Sequence, residues 1–151
     1  MLRSRLSEAL KDAVLAKDRR SSSTIRLILA AVKDRDITLR GSGGGDVISD
    51  DDILGLLQTM VRQRHESIEL FEKGRRKDLA DRERAEIEVV FRFMPEQMDD
   101  EAIASATKQV VEDLEATGLK DMGRVMGELK SKYTGQMDFG KASSVAKELL
   151  V

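Results

Sequence analysis

The sequence predicts an all-α protein. Its 151 residues include one proline and no tryptophan, and only 3% are aromatic, whereas the residues that helices favour over sheets, such as Ala, Leu, Glu and Lys, are abundant. Apolar residues, 40% of the total, recur every three or four positions, which places them on one face of a helix. We therefore predict a four-helix bundle-like domain over residues 1–94 and a small three-helix domain over 95–151.

The first two predicted helices occupy residues 2–41. The first runs roughly from Leu2 to Lys17, and its predicted inward positions are Leu2, Leu6, Leu10 and Val14. The second follows Ser21-Ser22-Ser23, whose hydroxyls we expect to cap its start. It is apolar on most sides, so it should lie at the centre, and its charges fall mainly at the end. The apolar residues are Ile25, Leu27, Ile28, Leu29, Ala31 and Val32. The glycine-rich stretch 41–45 ends it, because glycine loses backbone entropy in a helix.

The next two helices complete residues 1–94. Ser49 and Asp52 have the spacing of a capping box, and the helical period continues from there to Gly74, which predicts the end of the third helix. The fourth begins near Leu79. Pro95 stops it, because proline lacks the backbone N–H and restricts the residue before it.

Three shorter helices are predicted after Pro95. Asp99 should cap the first, which Gly118 closes; the second lies around residues 122–129, and the third around 145–150 after a turn that leads to Asp138. Such a domain is small enough to be only marginally stable by itself.

Composition excludes several function classes. The chain has no cysteine and a single histidine, which excludes disulfides, thiol catalysis and a typical zinc site. We expect no metal and no cofactor. The N-terminal residues lack the apolar core of a signal peptide, and no apolar run approaches the length of a membrane helix. We therefore expect a cytoplasmic protein, or a matrix protein if it was processed, without a membrane partner.

Several motifs have simple structural interpretations. Residues 135–142 carry the glycine and lysine spacing of a phosphate-binding loop, but Ala142 stands where a Mg²⁺-binding hydroxyl is needed, so we interpret them as a turn and a helix start at Asp138. No base accompanies the serine cluster 21–23, which favours capping over nucleophilic catalysis. We expect His65 to be a solvated side chain on a helix surface. No catalytic residue is predicted.

Charge indicates a binding surface more clearly than these motifs do. Net charge is −2, yet basic residues dominate between positions 120 and 147, where Gly123 and Gly127 lie four apart on one predicted helix. Glycines at this spacing allow another helix or an RNA backbone to approach closely; both alternatives remain open. The candidate RNA-binding residues are Lys120, Gly123, Arg124, Gly127, Lys130, Lys132, Lys141 and Lys147. A pI near 5.6 lacks the basic excess of a dedicated RNA binder.

Several stretches together resemble the GatB/YqeY family. They are residues 23–35, Arg62-Gln63-Arg64-His65-Glu66-Ser67, Ala85-Glu86-Ile87-Glu88, Met94-Pro95-Glu96-Gln97-Met98 and Asp121-Met122-Gly123-Arg124-Val125-Met126-Gly127. The resemblance covers essentially the whole chain in order. It implies a two-part helical protein similar to the C-terminal tail of the B subunit of glutamine-dependent tRNA amidotransferase, a carbon–nitrogen ligase.

The resemblance also implies a role. In the full B subunit the tail contacts tRNA, while phosphorylation, amide transfer and glutamine hydrolysis occur elsewhere. We therefore expect a non-catalytic module that binds tRNA or structured RNA. The alternative is an adaptor that docks on an aminoacyl-tRNA synthetase or amidotransferase without binding RNA itself.

Overall fold

The computed structural model describes all 151 residues, which form seven α-helices and no β-strand. The predicted all-α class is therefore confirmed. The chain divides into two compact units, Met1–Met94 and Pro95–Val151. The first contains α1 (Leu2–Leu15), α2 (Arg19–Gly41), α3 (Asp50–Lys73) and α4 (Lys77–Phe91). The second contains α5 (Asp100–Asp113), a 3₁₀ turn (Leu119–Asp121), α6 (Met122–Lys132) and α7 (Phe139–Leu150). None of these helices combines the length and apolar character needed to cross a membrane.

In the N-terminal unit α2 packs against α1, α3 and α4, as expected for a central helix, and α3 also contacts all three other helices. Its fully buried residues Ile25, Ile28 and Val32 recur at helical spacing and meet Leu6 of α1 and Leu57 of α3 in one core. The prediction that α2 is apolar on most sides is wrong. Only one face is buried, and the side chains of Leu27 and Ile37 are 53% and 54% exposed on the other.

Two predictions about side chains near the α1–α2 junction are also wrong. Val14 is 48% exposed, because α1 ends at Leu15 and Lys17 turns the chain with a left-handed φ of 57°. The cap of α2 is Asp18, whose carboxylate accepts the N–H of Ser21 at 3.1 Å. The serines lie inside the helix, where Ser21 and Ser22 are buried.

Of the two glycines predicted to end helices α3 and α5, only the first marks the observed helix end. The capping box of Ser49 and Asp52 and the end of α3 at Gly74 are confirmed. Asp99 caps α5 as predicted, but the helix ends at Asp113, well before Gly118. Its stop is Glu115, which adopts a left-handed φ of 52°, a conformation that sequence reasoning assigns to glycine first.

The C-terminal unit is built around a small apolar core. Residues from all three helices contribute, together with one from the turn between α6 and α7: Ile103, Val110, Val125, Leu129, Met137, Ala142, Ala146 and Leu150. That turn needs Gly135, whose φ is 80°. The segment after Pro95 is fixed to the same turn, since the Gln97 amide donates to the Gly135 carbonyl at 2.7 Å and the Met98 N–H donates to the Gln136 carbonyl at 2.9 Å.

A buried carboxylate joins three parts of the N-terminal unit. Asp36 of α2 accepts two hydrogen bonds from the Arg3 guanidinium of α1, at 2.8 and 3.0 Å. It also accepts the backbone N–H of Ile48, just before α3, at 2.8 Å. Because the hydrogen bonds from Arg3 and Ile48 favour the charged form, they lower the pKa of Asp36 below its usual value.

This lowered pKa predicts a pH-dependent contribution to stability. A carboxylate with a depressed pKa in the folded state stabilises the fold above its unfolded pKa, and that contribution is lost as pH falls through the folded pKa. Asp36→Asn should therefore lower the melting temperature most at neutral pH, and the difference from wild type should shrink towards about pH 3. Circular dichroism melts of both proteins across this range test it. A difference that does not change with pH would contradict the role assigned to the Asp36 charge.

Candidate RNA-binding surface

The candidate surface is centred on the outer face of α6. Val125 and Leu129 are fully buried on the inner face of this helix. Gly123, Gly127 and Lys130 follow one another at spacings of four and three residues on the exposed face, so they form one continuous strip. The structure thus brings three of the predicted residues together on a surface that the core does not use.

The two glycines are open to a binding partner. A Cβ atom added at Gly123 or Gly127 would meet no atom within 4 Å. No helix of this chain packs closely on these glycines, so the two alternatives left open by the sequence become a partner's helix or an RNA backbone. Within the chain no contact requires glycine at either position, although each glycine costs an exposed helix about 1 kcal/mol relative to alanine.

The predicted cations around this strip differ in their availability. Lys120, Lys130 and Lys147 are exposed and form no ion pair. Arg124 donates to Asp121 at 3.0 Å and to the Leu114 carbonyl at 3.3 Å, and Lys132 lies 3.4 Å from Glu128. Lys130 is thus the free cation on the same strip as the glycines, whereas Lys132 lies on a different side of α6 by helical spacing.

Asp121 is an organising residue that sequence reasoning missed. Its carboxylate accepts the backbone N–H of Thr117 at 3.0 Å in addition to the Arg124 guanidinium. The Thr117 N–H and then Arg124 lower the pKa of Asp121. The carboxylate therefore stays charged and orients Arg124 at the start of α6. The sequence signal for this pair is the spacing of three residues between Asp121 and Arg124, which brings the two side chains together at a helix start.

The two predicted lysines of α7 do not join the α6 strip in one row. Lys141 donates to Asp100 at the start of α5 at 2.8 Å, and this carboxylate raises the pKa of Lys141. Lys147 is exposed near the end of α7. Their separation of six residues places them on different sides of that helix.

The segment that resembled a phosphate-binding loop is a helix cap, as interpreted from the sequence. Asp138 is the N-cap of α7, and its carboxylate accepts the backbone N–H groups of Gly140 and Lys141 at 2.9 and 3.2 Å. The donors that would hold a phosphate are thus bonded to this carboxylate. His65 is exposed on α3, as predicted. No three His, Asp or Glu side chains are grouped closely enough to hold a metal ion.

Comparison with known proteins points to one family. A family model described as Yqey-like protein matches residues 3–150. Three fungal relatives share the name altered inheritance of mitochondria protein 41, mitochondrial. The relative from Pyrenophora tritici-repentis is 28% identical over 134 residues, which are 87% of this chain and 71% of that protein.

The other two relatives match a smaller part. The protein from Lachancea thermotolerans is 35% identical over 89 residues, 59% of this chain and 46% of its own length. That from Saccharomyces cerevisiae is 29% identical over 85 residues, 56% of this chain and 44% of its own length. The matches thus span less than half of these two relatives.

The open glycines lead to a prediction about stability. Both have ordinary helical φ values and free space around Cβ, so Gly123→Ala and Gly127→Ala should each raise the free energy of unfolding by about 0.4–1 kcal/mol. Urea unfolding of the full chain measures this. Gly140→Ala is the matched control, since its Cβ would lie 3.2 Å from an Asp138 oxygen and should gain less. Destabilisation by either α6 substitution would mean that these glycines are needed for folding.

Proposed function

Because the chain belongs to the YqeY-like family over nearly its whole length, we propose that its C-terminal unit is a non-catalytic module that binds tRNA or another structured RNA. The observation that carries the proposal is the exposed strip of Gly123, Gly127 and Lys130 on α6. A glycine that has no packing role inside the chain, yet costs helix stability, is expected where function requires it. Here the function is close approach of a partner's backbone.

An RNA backbone fits the chemistry of this strip. Where a helix lacks Cβ atoms, a sugar–phosphate chain can lie against its peptide groups, and the neighbouring lysine supplies the opposite charge. Lys130 lies on the strip, and Lys120 precedes it in the 3₁₀ turn; neither has a competing carboxylate. Lys132 and its partner Glu128 are both partly exposed, so Lys132 can exchange this carboxylate for a phosphate at small cost. Arg124 is exposed, but its partner Asp121 is largely buried and keeps it oriented.

The family association suggests the kind of RNA. Since the amidotransferase tail contacts tRNA, we propose tRNA as the first substrate to test. The ligase activity associated with the family, with glutamine as amide donor, is assigned to the larger enzyme and not to this chain.

We further propose that residues 1–94 and 95–151 act as separate domains. The module is expected in the cytoplasm, or in the matrix if it was processed; the names of the three fungal relatives describe those proteins as mitochondrial.

A second candidate is a protein-interaction adaptor that docks on an aminoacyl-tRNA synthetase or amidotransferase. It is favoured by the exposed apolar side chains of Leu27 and Ile37 in the N-terminal unit, which an RNA backbone does not need. Affinity purification of the full chain from nuclease-treated extract separates the candidates. A synthetase or amidotransferase retained after nuclease treatment supports the adaptor, and its loss supports a link through RNA.

The salt dependence of RNA binding tests the leading proposal. Fluorescence anisotropy of labelled tRNA, titrated with the full chain at several salt concentrations, should show salt-sensitive binding. Lys120→Ala combined with Lys130→Ala should weaken binding and reduce the salt slope by about two. Lys108→Ala, an exposed and unpaired lysine of α5, is the control and should leave both unchanged. Equal slopes for the double variant and wild type would exclude these lysines from the interface.

The glycine strip gives an independent binding prediction. Gly123→Ala combined with Gly127→Ala should weaken tRNA binding about tenfold, equivalent to about 1.4 kcal/mol, because two methyl groups would hold the RNA backbone away from the helix. The same variant is expected to unfold at higher urea, so reduced binding could not be attributed to misfolding. Unchanged affinity in the more stable variant would show that RNA does not contact this face.

A further inference from the structure

The outward face of α2 carries an apolar stripe that nothing in the chain covers. Its positions alternate spacings of four and three residues, the pattern of a helix seam that pairs with another helix. They are Ser23, Leu27, Ala30, Asp34, Ile37 and Gly41, and all six are exposed. They lie opposite the buried face formed by Ile25, Ile28 and Val32. More than half of the Leu27 and Ile37 side chains is in contact with water.

A row of cations runs beside this stripe. Arg19, Arg26, Lys33 and Arg40 recur every seven residues, and positions seven apart drift by only about 20° around a helix. The rise of 1.5 Å per residue separates neighbours by about 10 Å along α2. Arg20 adds positive charge on the other flank of the stripe.

None of these cations is held in an ion pair within the chain. All five are exposed, and none forms an ion pair. At longer range, Arg20 and Arg40 help to lower the pKa of Asp18 and Asp36. The acids of α2 are Asp34, exposed within the stripe, and Asp36, buried and bonded to Arg3. The outer face of α2 therefore combines exposed apolar side chains with an unbalanced positive charge.

We propose that this face docks an amphipathic helix of a partner protein whose apolar stripe is flanked by aspartate and glutamate. The partner's apolar residues would cover Leu27, Ala30 and Ile37, and its carboxylates would pair with the flanking cations as in a helix pair. This proposal rests on the adaptor candidate and is independent of RNA binding by residues 95–151.

Charge and composition distinguish this occupant from two others. A second copy docking through the same face would bring two basic flanks together, and like charges across an interface are costly. An RNA backbone would use the cations but would gain nothing from covering Leu27 and Ile37, since it is bound mainly through charge. An acidic amphipathic helix uses both features.

A designed peptide with the chemistry of the proposed partner tests the proposal directly. The probe is a labelled helical peptide about four heptads long with leucine along its seam and glutamate on both flanks. Its matched partner has lysine in place of every glutamate. Anisotropy titrations with the full chain should show binding of the acidic peptide at least about tenfold tighter than that of the basic peptide. Binding should weaken with salt, because the flanking pairs are exposed.

Two variants locate the binding face. Leu27→Ser with Ile37→Ser removes the apolar contacts, and Arg26→Glu with Lys33→Glu reverses the charge; each should weaken binding of the acidic peptide about tenfold or more. Both pairs are exposed, so the fold should persist, as circular dichroism can verify. Lys11→Glu with Arg62→Glu is the control. It makes the same charge change at exposed, unpaired positions of α1 and α3 and should leave binding nearly unchanged.

The outcomes separate the possible occupants. Loss of binding in both variants, but not in the control, supports the proposal. Absence of peptide binding, or equal binding of both peptides, overturns it. If tRNA binding is reduced by the charge variant but not by Leu27→Ser with Ile37→Ser, the face is an RNA surface and the proposal is wrong. A dimer of the free chain that Leu27→Ser with Ile37→Ser dissociates also overturns it. The variants of Lys120 and Lys130 test RNA binding by the C-terminal unit, whereas the α2 variants test peptide binding. A failure of one proposed function can therefore be distinguished from a failure of the other.

Discussion

Burial of a single face of α2 is the constraint on which the N-terminal unit depends. Three helices pack against that face, so its residues are apolar or, where polar, bonded within the protein. Thr24 and Asp36 are both buried there, and no buried side-chain polar atom of the chain lacks a hydrogen-bond partner. The residues of the opposite face are exposed, so they need not be apolar or hydrogen-bonded within the protein. Folding therefore does not fix the residue types on this exposed face of α2, which are available for binding. The cations without ion pairs lie on this face.

Carboxylates fix both ends of α2. At its start, Asp18 accepts the N–H and hydroxyl of Ser21, and that hydroxyl in turn accepts an Arg92 N–H from the end of α4 at 3.1 Å. Towards its end, Asp36 binds Arg3. Asp36 is buried, so removing Arg3 would cost more than the net value of their hydrogen bonds, because the carboxylate would lose its charged partner. Both ends of the helix are thus bonded to other parts of the unit, and a helix fixed in this way loses little entropy when a partner binds its outer face.

The sequence predicted the seven helices because each must bury one apolar face, and such a face leaves a regular spacing. It predicted several helix ends less well for a physical reason. Lys17 and Glu115 adopt left-handed conformations that favour glycine, and no local signal marks a residue that accepts this strain because the surrounding structure requires it. The cap of α2 was misplaced because Asp18 and the serines are all good capping residues.

The sequence predicted which residue types form the candidate site, but not which of them are free to contact a partner. Spacing placed Gly123 and Gly127 on one face, yet it could not distinguish a face packed by another helix from an open one. The availability of each lysine depends on distant partners. Lys141 is engaged by Asp100, 41 positions earlier in the chain, and such a pair leaves no trace in local sequence.

The two units expose different chemistry, and the difference argues for different partners. On α6, Gly123 and Gly127 have no side chains and Lys130 lies beside them, an arrangement that suits the close approach of a negatively charged backbone. On α2 the side chains of Leu27 and Ile37 project between cations, which suits a partner with apolar groups to bury. A single partner class would use only one of these surfaces well. A chain proposed to join RNA to a protein would use both surfaces. RNA binding confined to a small basic surface would also be compatible with the net charge of −2.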